Sequence, residues 1–397
     1  MAPKKRIHLL SMPKGYDKFI HVSVLILALF GLIMVVSASM TITSTTSDLL
    51  IVGAKQIFFI IAGYIGMVFL ARHFSFAFVR KHIVMIVVVT FGFLLLTLAF
   101  PSVGGAKAWI RIPFPGTEIT LQPSEFAKIV CILMFAVYLG DLPKNISQKA
   151  SDIMGPPIYA MLGMFLFMVI LQRDLGTAVV LFVICFFVFL LPSHRKLWVW
   201  QRPAIYSSVL VSALLAFIMS DPGIKLLKSI DKGGYQLQRF LAAFNPFEIA
   251  QEGGYQIVSS LIAIVKGNWF GVGLGRSLQK YGYLPAARTD FILAIIAEET
   301  GMLGFSILLI FYGILAYRLF KGVFRALDEK SKMTLIGISL YLLVHFILNI
   351  GGVTAMIPLT GVPLLFISQG GSSTMAIMCG LGIAQNILAK QNRKELV

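Results

Sequence analysis

Apolar runs of bilayer length recur from one end of this chain to the other. Stretches rich in Leu, Ile, Val, Phe and Ala fall at about 20–39, 51–71, 83–100, 124–140, 156–171, 178–192, 204–220, 291–317, 333–352 and 371–389. A helix needs roughly 17–25 such residues to cross the hydrocarbon core. The runs lack the polar–apolar alternation of barrel strands, so helices, which satisfy their own backbone groups, are the expected element. The pattern predicts an all-α polytopic membrane protein of about ten transmembrane helices with both termini on one side.

Composition agrees. Of 397 residues, 58% are hydrophobic and 13% charged, with a mean hydropathy of +0.87. The net charge of +17 is explained by placement rather than by a polyanionic partner. With the termini in the cytoplasm, the tails and the loops 72–82, 141–155, 193–203 and 318–332 hold 21 of the 34 Lys and Arg residues but six of the 17 acids. That leaves +15 inside and +2 elsewhere, the bias expected of cytoplasmic loops. No nucleic-acid partner is implied; the basic tails suit anionic membrane lipids. The first run, Phe19 to Ser39, follows Lys14 and Lys18 like a secretory signal but is too long for one, so a retained first span is expected. Cys131, Cys185 and Cys379 lie in three different spans without metal or disulfide spacing and are assigned to packing.

Three outer loops are longer than connection alone requires. They are 101–123, 221–289 and 353–371, the second a large extracytoplasmic loop between the seventh and eighth helices. Within it, Tyr255–Val265 is apolar enough to dip into the membrane or lie along its surface. The run GNWFGVGLG (Gly267–Gly275) lacks the strand–turn–helix context of a dinucleotide loop, and a loop packed tightly at the membrane surface is expected instead. No separate soluble domain is visible, so residues 1–397 read as one membrane domain. Work at the outer face would have no soluble nucleotide to draw on.

Charged residues at membrane depth are candidate functional groups because burying them is costly. Glu125 and Lys128 are three apart and share a helix face, as an orienting ion pair or as part of a site. Asp174 either caps the sixth span or, with Arg173, contributes to an anion site. Asp290 enters the eighth span from outside, directly after Arg288 and Thr289. Glu298 lies eight residues further, about 12 Å along a helix, beyond the separation of paired glycosidase carboxylates. Glu298 and Glu299 are therefore expected to be structural or gating groups. No His falls in an outer loop, which argues against a Ser-His-Asp hydrolase or a His-ligated zinc there. His345, inside the ninth span, is expected to be a satisfied interhelical polar residue. One outward carboxylate with several cations suits transfer from a phosphate-bearing lipid.

The motifs QPSEFAK (122–128), DLGT (174–177), YQLQR (235–239) followed by NP, QKYGYLPAARTDFILAIIAEETG (279–301), NIGG (349–352) and IPLTGVPLLFISQGGSS (357–373) resemble, in order, the SEDS family of shape, elongation, division and sporulation proteins. The QKYGYLPAARTDF stretch and GLIMVVSAS near the start lean toward the FtsW, or division, branch over RodA.

The resemblance implies a peptidoglycan glycosyltransferase that polymerises lipid II into β-1,4 glycan at the outer face of the bacterial cytoplasmic membrane and releases undecaprenyl diphosphate. It places the catalytic aspartate at Asp290 and functional positions at Glu125, Lys128 and Asp174; Arg239, Lys280, Arg288, Ser372 and Ser373 complete the expected substrate-binding set, and Lys128 and Arg239 are set near the diphosphate on their charge rather than on the resemblance. A divalent cation, Mg or Mn, is conceivable for such a leaving group, but no ligand set is legible. The implied partners are a cognate class B penicillin-binding protein and other division or elongation proteins. A lipid II flippase and a non-enzymatic scaffold are the competing readings. Ala286 and Arg288 stand where relatives commonly carry Glu and His, Arg173 stands for Pro before DLGT, and Leu365 and Gln369 stand for Pro and Tyr before GGSS.

Overall fold

The structure, a computed structural model, describes residues 11–114, 117–140, 142–143, 147, 149–218, 220, 222–224, 246–247 and 254–395. Each expected span has its helix: α1 (Lys18–Ala38), α2 (Thr46–His73), α3 (Phe76–Leu96), α4 (Pro123–Leu139), α5 (Ala150–Leu166, continued by a π-helical turn Phe167–Gln172), α6 (Leu175–Leu190), α7 (Trp198–Ile218), α9 (Ile292–Arg325), α10 (Glu329–Val353) and α11 (Gly371–Glu395). Between α7 and α9 lies α8 (Tyr255–Gly267), the segment expected to dip or lie flat. Among the described residues, eight helices are long and apolar enough to cross a membrane; α4 (17 residues) and α6 (16 residues) are shorter. This is a multi-pass helical membrane protein.

Helix starts are fixed by local chemistry. Asp17 caps α1 by accepting from the amides of Phe19 (2.9 Å) and Ile20 (3.2 Å), and its carboxylate also takes Arg318 Nε at 2.7 Å. Thr45 and Asp48 form a capping box on α2, and Asp328 caps α10.

The helix at the centre of the bundle is α11, with 89% of its apolar window buried against 6% for peripheral α7. It packs along α2 through small residues. A Cβ at Gly382 would come within 2.4 Å of the Met67 carbonyl oxygen, and one at Gly63 within 2.7 Å of Met378 Sδ. Close backbone approach of this kind drives helix association in lipid, where no hydrophobic gain is available.

Two elements differ from expectation. The first outer loop contains an antiparallel hairpin, β1 (Ile110–Phe114) with β2 (Thr117–Leu121), in register Ile110↔Leu121 through Phe114↔Thr117. Pro113 inside β1 masks the strand signal, since Pro removes a ladder donor.

The second is a break in α9 at Gly301, whose backbone (φ 64°, ψ −160°) is non-helical. Residues 268–273 fill the break. The amides of Val272 and Gly273 donate to the carbonyls of Glu298 (2.9 Å) and Glu299 (3.0 Å), and those of Met302 and Leu303 donate to Asn268 (2.9 Å) and Trp269 (3.3 Å). Backbone groups orphaned by the break are thus recovered by the loop, as a membrane interior demands. The GNWFGVGLG run is therefore packed tightly, as expected, and its partner is the break in α9. Gly301→Ala is expected to abolish recovery of monodisperse folded protein. Its positive φ costs about 1–3 kcal/mol for a side chain, and a Cβ would sit 2.5 Å from the Gly271 nitrogen and the Trp269 oxygen. Size-exclusion chromatography of the purified variant checks this.

Candidate active site

The residues singled out from sequence separate into three groups. The first is a closed network in the bundle core. Lys128 and Glu125, three apart on α4, pair at 2.8 Å with side-chain exposures of 0% and 1%. Lys128 Nζ also lies 2.8 Å from His345 Nε2, and the Tyr341 hydroxyl donates to Glu125 Oε2. His345 Nδ1 sits 3.1 Å from the Pro363 carbonyl. These partners assign the tautomer: the ammonium donates to Nε2, and Nδ1–H donates to Pro363. The ammonium further lies 4.8 Å from the Tyr341 ring centroid. Lys128 is thus enclosed and partnered in this structure and ties α4 to α10.

One turn earlier on α4, Gln122 Nε2 donates to Asp174 Oδ2 (2.9 Å) and Thr177 Oγ1 (3.2 Å). Asp174 itself caps α6 by accepting from the Thr177 amide at 3.1 Å. In this turn between helices, desolvation raises the Asp174 carboxyl above its usual range, opposed by Thr177 and by the nearby Lys128. Arg173 beside it is exposed and left-handed, with φ 56°.

The second group surrounds Glu298 and Glu299, both fully buried. Glu299 Oε1 takes Lys280 Nζ at 2.8 Å, and Oε2 accepts from Ser37 on α1. Glu298 pairs with Lys266 at 3.3 Å and accepts from the Ser277 hydroxyl and from the amides of Leu278 (3.1 Å) and Gln279 (3.4 Å). Two carboxylates and two ammonium groups thus bind residues 277–280 to the broken helix. Lys280, 3% exposed, belongs to this cluster, which is a bolt on the loop that leads to Asp290.

The third group is the mouth at Asp290. Asp290 is half-buried at the start of α9, and Arg288 is exposed. The segment 360–369 holds this mouth together. A Cβ at Gly361 would stand 3.7 Å from Asp290 Oδ2, in ordinary contact, and the glycine's φ of +70° is one that a side chain rarely adopts. Asn349 Nδ2 donates to the main-chain carbonyls of Asp290 and Val362, both at 2.9 Å. Ser368 Oγ donates to the Thr289 carbonyl at 2.8 Å, and the Gln369 amide to Arg288 at 2.9 Å. The same segment reaches the other polar residues. A Cβ at Gly176 would come within 2.3 Å of the Thr360 oxygen, and Pro363 faces His345. Asp174, the α4 network and Asp290 therefore share one connector.

Ser372 and Ser373 lie buried in the first turn of α11, where Ser373 Oγ donates to the Gly370 carbonyl at 2.8 Å. Arg239 lies outside the described residues. Sequence reasoning left Gln122, Tyr341, Asn349, Gly361 and Ser368 unassigned, although a polar side chain in an apolar span was the available signal for Gln122, Tyr341 and Asn349. Among the described residues no group of three or more His, Cys, Asp or Glu side chains converges as a metal site.

Comparison with known proteins agrees with this architecture. The profile of the FtsW/RodA/SpoVE family, described as cell cycle proteins, matches residues 17–393. A probable peptidoglycan glycosyltransferase FtsW from Geobacter sp. (strain M18) is 31% identical over 379 residues, covering 94% of this chain and 97% of its own. Stage V sporulation protein E of Bacillus subtilis (strain 168) is 30% identical over 376 residues, covering 94% and 96%. Among solved structures, a peptidoglycan synthase complex that coordinates polymerization and crosslinking contains a chain similar at TM-score 0.70 and 21% identity, covering 95% of this chain and 98% of that one. The rod shape determining protein RodA of Thermus thermophilus is similar at TM-score 0.62 and 21% identity, covering 95% and 97%. With its profile matched from the first helix to the last and relatives of 30% identity or more aligned over nearly their full length, the chain belongs to the FtsW/RodA/SpoVE family of cell cycle proteins, the SEDS family that its motifs resemble.

Proposed function

We propose that this chain is a peptidoglycan glycosyltransferase that polymerises lipid II at the outer face of the cytoplasmic membrane. The observation that carries the reading is the Asp290 carboxylate, placed just ahead of α9 at a mouth that the 360–369 connector holds together, with Gly361 beside it. In this reading Asp290 accepts the proton of the acceptor sugar's 4-hydroxyl as the oxygen attacks C1 of the lipid-linked donor. The donor's bond to diphosphate breaks with inversion, and undecaprenyl diphosphate leaves. General base catalysis of this kind contributes roughly 10²–10⁴-fold. The networks at Lys128 and Glu299 keep the aspartate's supports rigid, and no step is assigned to a metal.

The Lys and Arg bias supports an outward site. A transpeptidase of the class B penicillin-binding type is the proposed partner, because the neighbouring solved structure is a complex that couples polymerization to crosslinking. The whole chain acts as one membrane domain. The test is to place the purified protein, with and without that partner, in vesicles containing labelled lipid II. Formation of glycan supports the enzyme. Movement of lipid II across the bilayer without glycan would replace it with a transporter.

A further inference from the structure

Beside Asp290 lies a second cavity, of about 190 Å³, that none of the networks above uses. It opens between α2, β2 and the two segments that frame the mouth, with Lys55, Gln56, Thr120, Thr289, Gln369 and Gly371 in its wall. It is smaller than the roughly 300–1,000 Å³ of a pocket for a whole ligand, so it suits one group of a larger substrate.

Its wall is built for negative charge. No acidic side chain lines it among the described residues. Lys55 contributes a half-buried ammonium, anchored by a hydrogen bond to the Glu118 carbonyl. Lys55 feels the Glu118 carboxylate more strongly than it feels Arg288, so one acid and two cations surround this wall and positive charge is in excess. Gly371 begins α11, whose N-terminal end carries partial positive charge and free amide donors. The decisive observation is Gln56. Its side chain is 2% exposed, yet Nε2 has no hydrogen-bond partner among the described residues. A buried amide donor without a partner costs about 1–3 kcal/mol, and the cavity wall is where it could recover a bond.

We infer that this cavity is an oxyanion subsite of the glycosyltransferase, in which Lys55 and Gln56 hold a phosphate or carboxylate of the lipid-linked substrate next to Asp290. The inference rests on the proposed function and replaces Lys128, which is enclosed, as the cation that meets the substrate's charge. The oxyanion belongs either to the polyprenyl diphosphate or to the peptide carried by the sugar.

Binding is read without turnover, in the full-length detergent-purified chain carrying Asp290→Asn. The probes are geranylgeranyl diphosphate, geranylgeraniol and the lipid-free disaccharide pentapeptide, followed by thermophoresis. Lys55→Met and Gln56→Leu are each expected to weaken the diphosphate probe by roughly tenfold or more, to leave the alcohol unchanged, and to melt at the parent temperature. Lys55→Arg is expected to restore most of the affinity. The same loss confined to the disaccharide pentapeptide would assign the subsite to the peptide carboxylate.

Parental affinity of both variants for both anionic probes would overturn the subsite, as would equal weakening for the alcohol. If either substitution prevents folding, Thr120→Val, on β2 outside the bundle core, replaces it under the same criteria. A chain that binds through Lys55 and Gln56 yet makes no glycan from lipid II would refute the glycosyltransferase reading and leave the subsite standing.

Discussion

Asp290→Asn is expected to lower the rate of glycan polymerisation by roughly 10²–10⁴-fold, while the protein folds and melts as the parent does. The amide keeps the shape of the carboxylate but cannot take a proton from the attacking hydroxyl. The main-chain support survives the substitution, because Asn349 bonds the carbonyl of residue 290, which is left in place. Asp290→Glu retains the base but moves it by one methylene toward Gly361, and intermediate activity is expected. Continuous assays of lipid II consumption, paired with thermal melts in the same detergent, separate a chemical loss from a structural one. If Asp290→Asn polymerises at the parental rate, the carboxylate is not the base. If it simply unfolds, the carboxylate serves the fold rather than the chemistry.

The second large effect lies in the core. Lys128→Met is expected to cost about 3–5 kcal/mol of stability, the usual penalty for breaking a buried pair by removing one partner. The substitution strands the Glu125 carboxylate, 1% exposed, with the Tyr341 hydroxyl as its remaining donor, and deprives His345 Nε2 of its partner. Adding Glu125→Gln removes the stranded charge, so the double variant is expected to be more stable than Lys128→Met alone. Thermal unfolding of the four proteins in one detergent forms a double-mutant cycle. Additive losses in that cycle would mean that the two side chains do not interact as described.

Much of the architecture was legible because the bilayer imposes it. Backbone groups in lipid must be satisfied within a segment, so each apolar run of sufficient length had one solution, and each became a helix. The features that escaped are those in which a local signal is overridden. Pro113 disguised β1, and the continuous apolar run 291–317 gave no sign of the break at Gly301 that residues 268–273 occupy.

The site divides in the same way. Asp290 was legible as an acid at a span entrance. Glu298 and Glu299 were too deep to share its work, but nothing local foretold Lys266, Lys280, Ser277 and Ser37 as their partners. The Glu125–Lys128 pair was legible from its spacing, but its extension to α10 was not, because those contacts join residues more than 200 positions apart, Glu125 with Tyr341 and Lys128 with His345.

The most direct measurement gives the purified chain lipid II in detergent, with its transpeptidase partner present but inactivated, and resolves the products by gel electrophoresis before and after muramidase digestion. The account predicts a ladder of long glycans that muramidase removes, as β-1,4 linkage requires, and no ladder from Asp290→Asn at equal protein. A wild-type chain that leaves lipid II unpolymerised under conditions in which the partner binds it, or an Asp290→Asn chain that makes the same ladder, would contradict it.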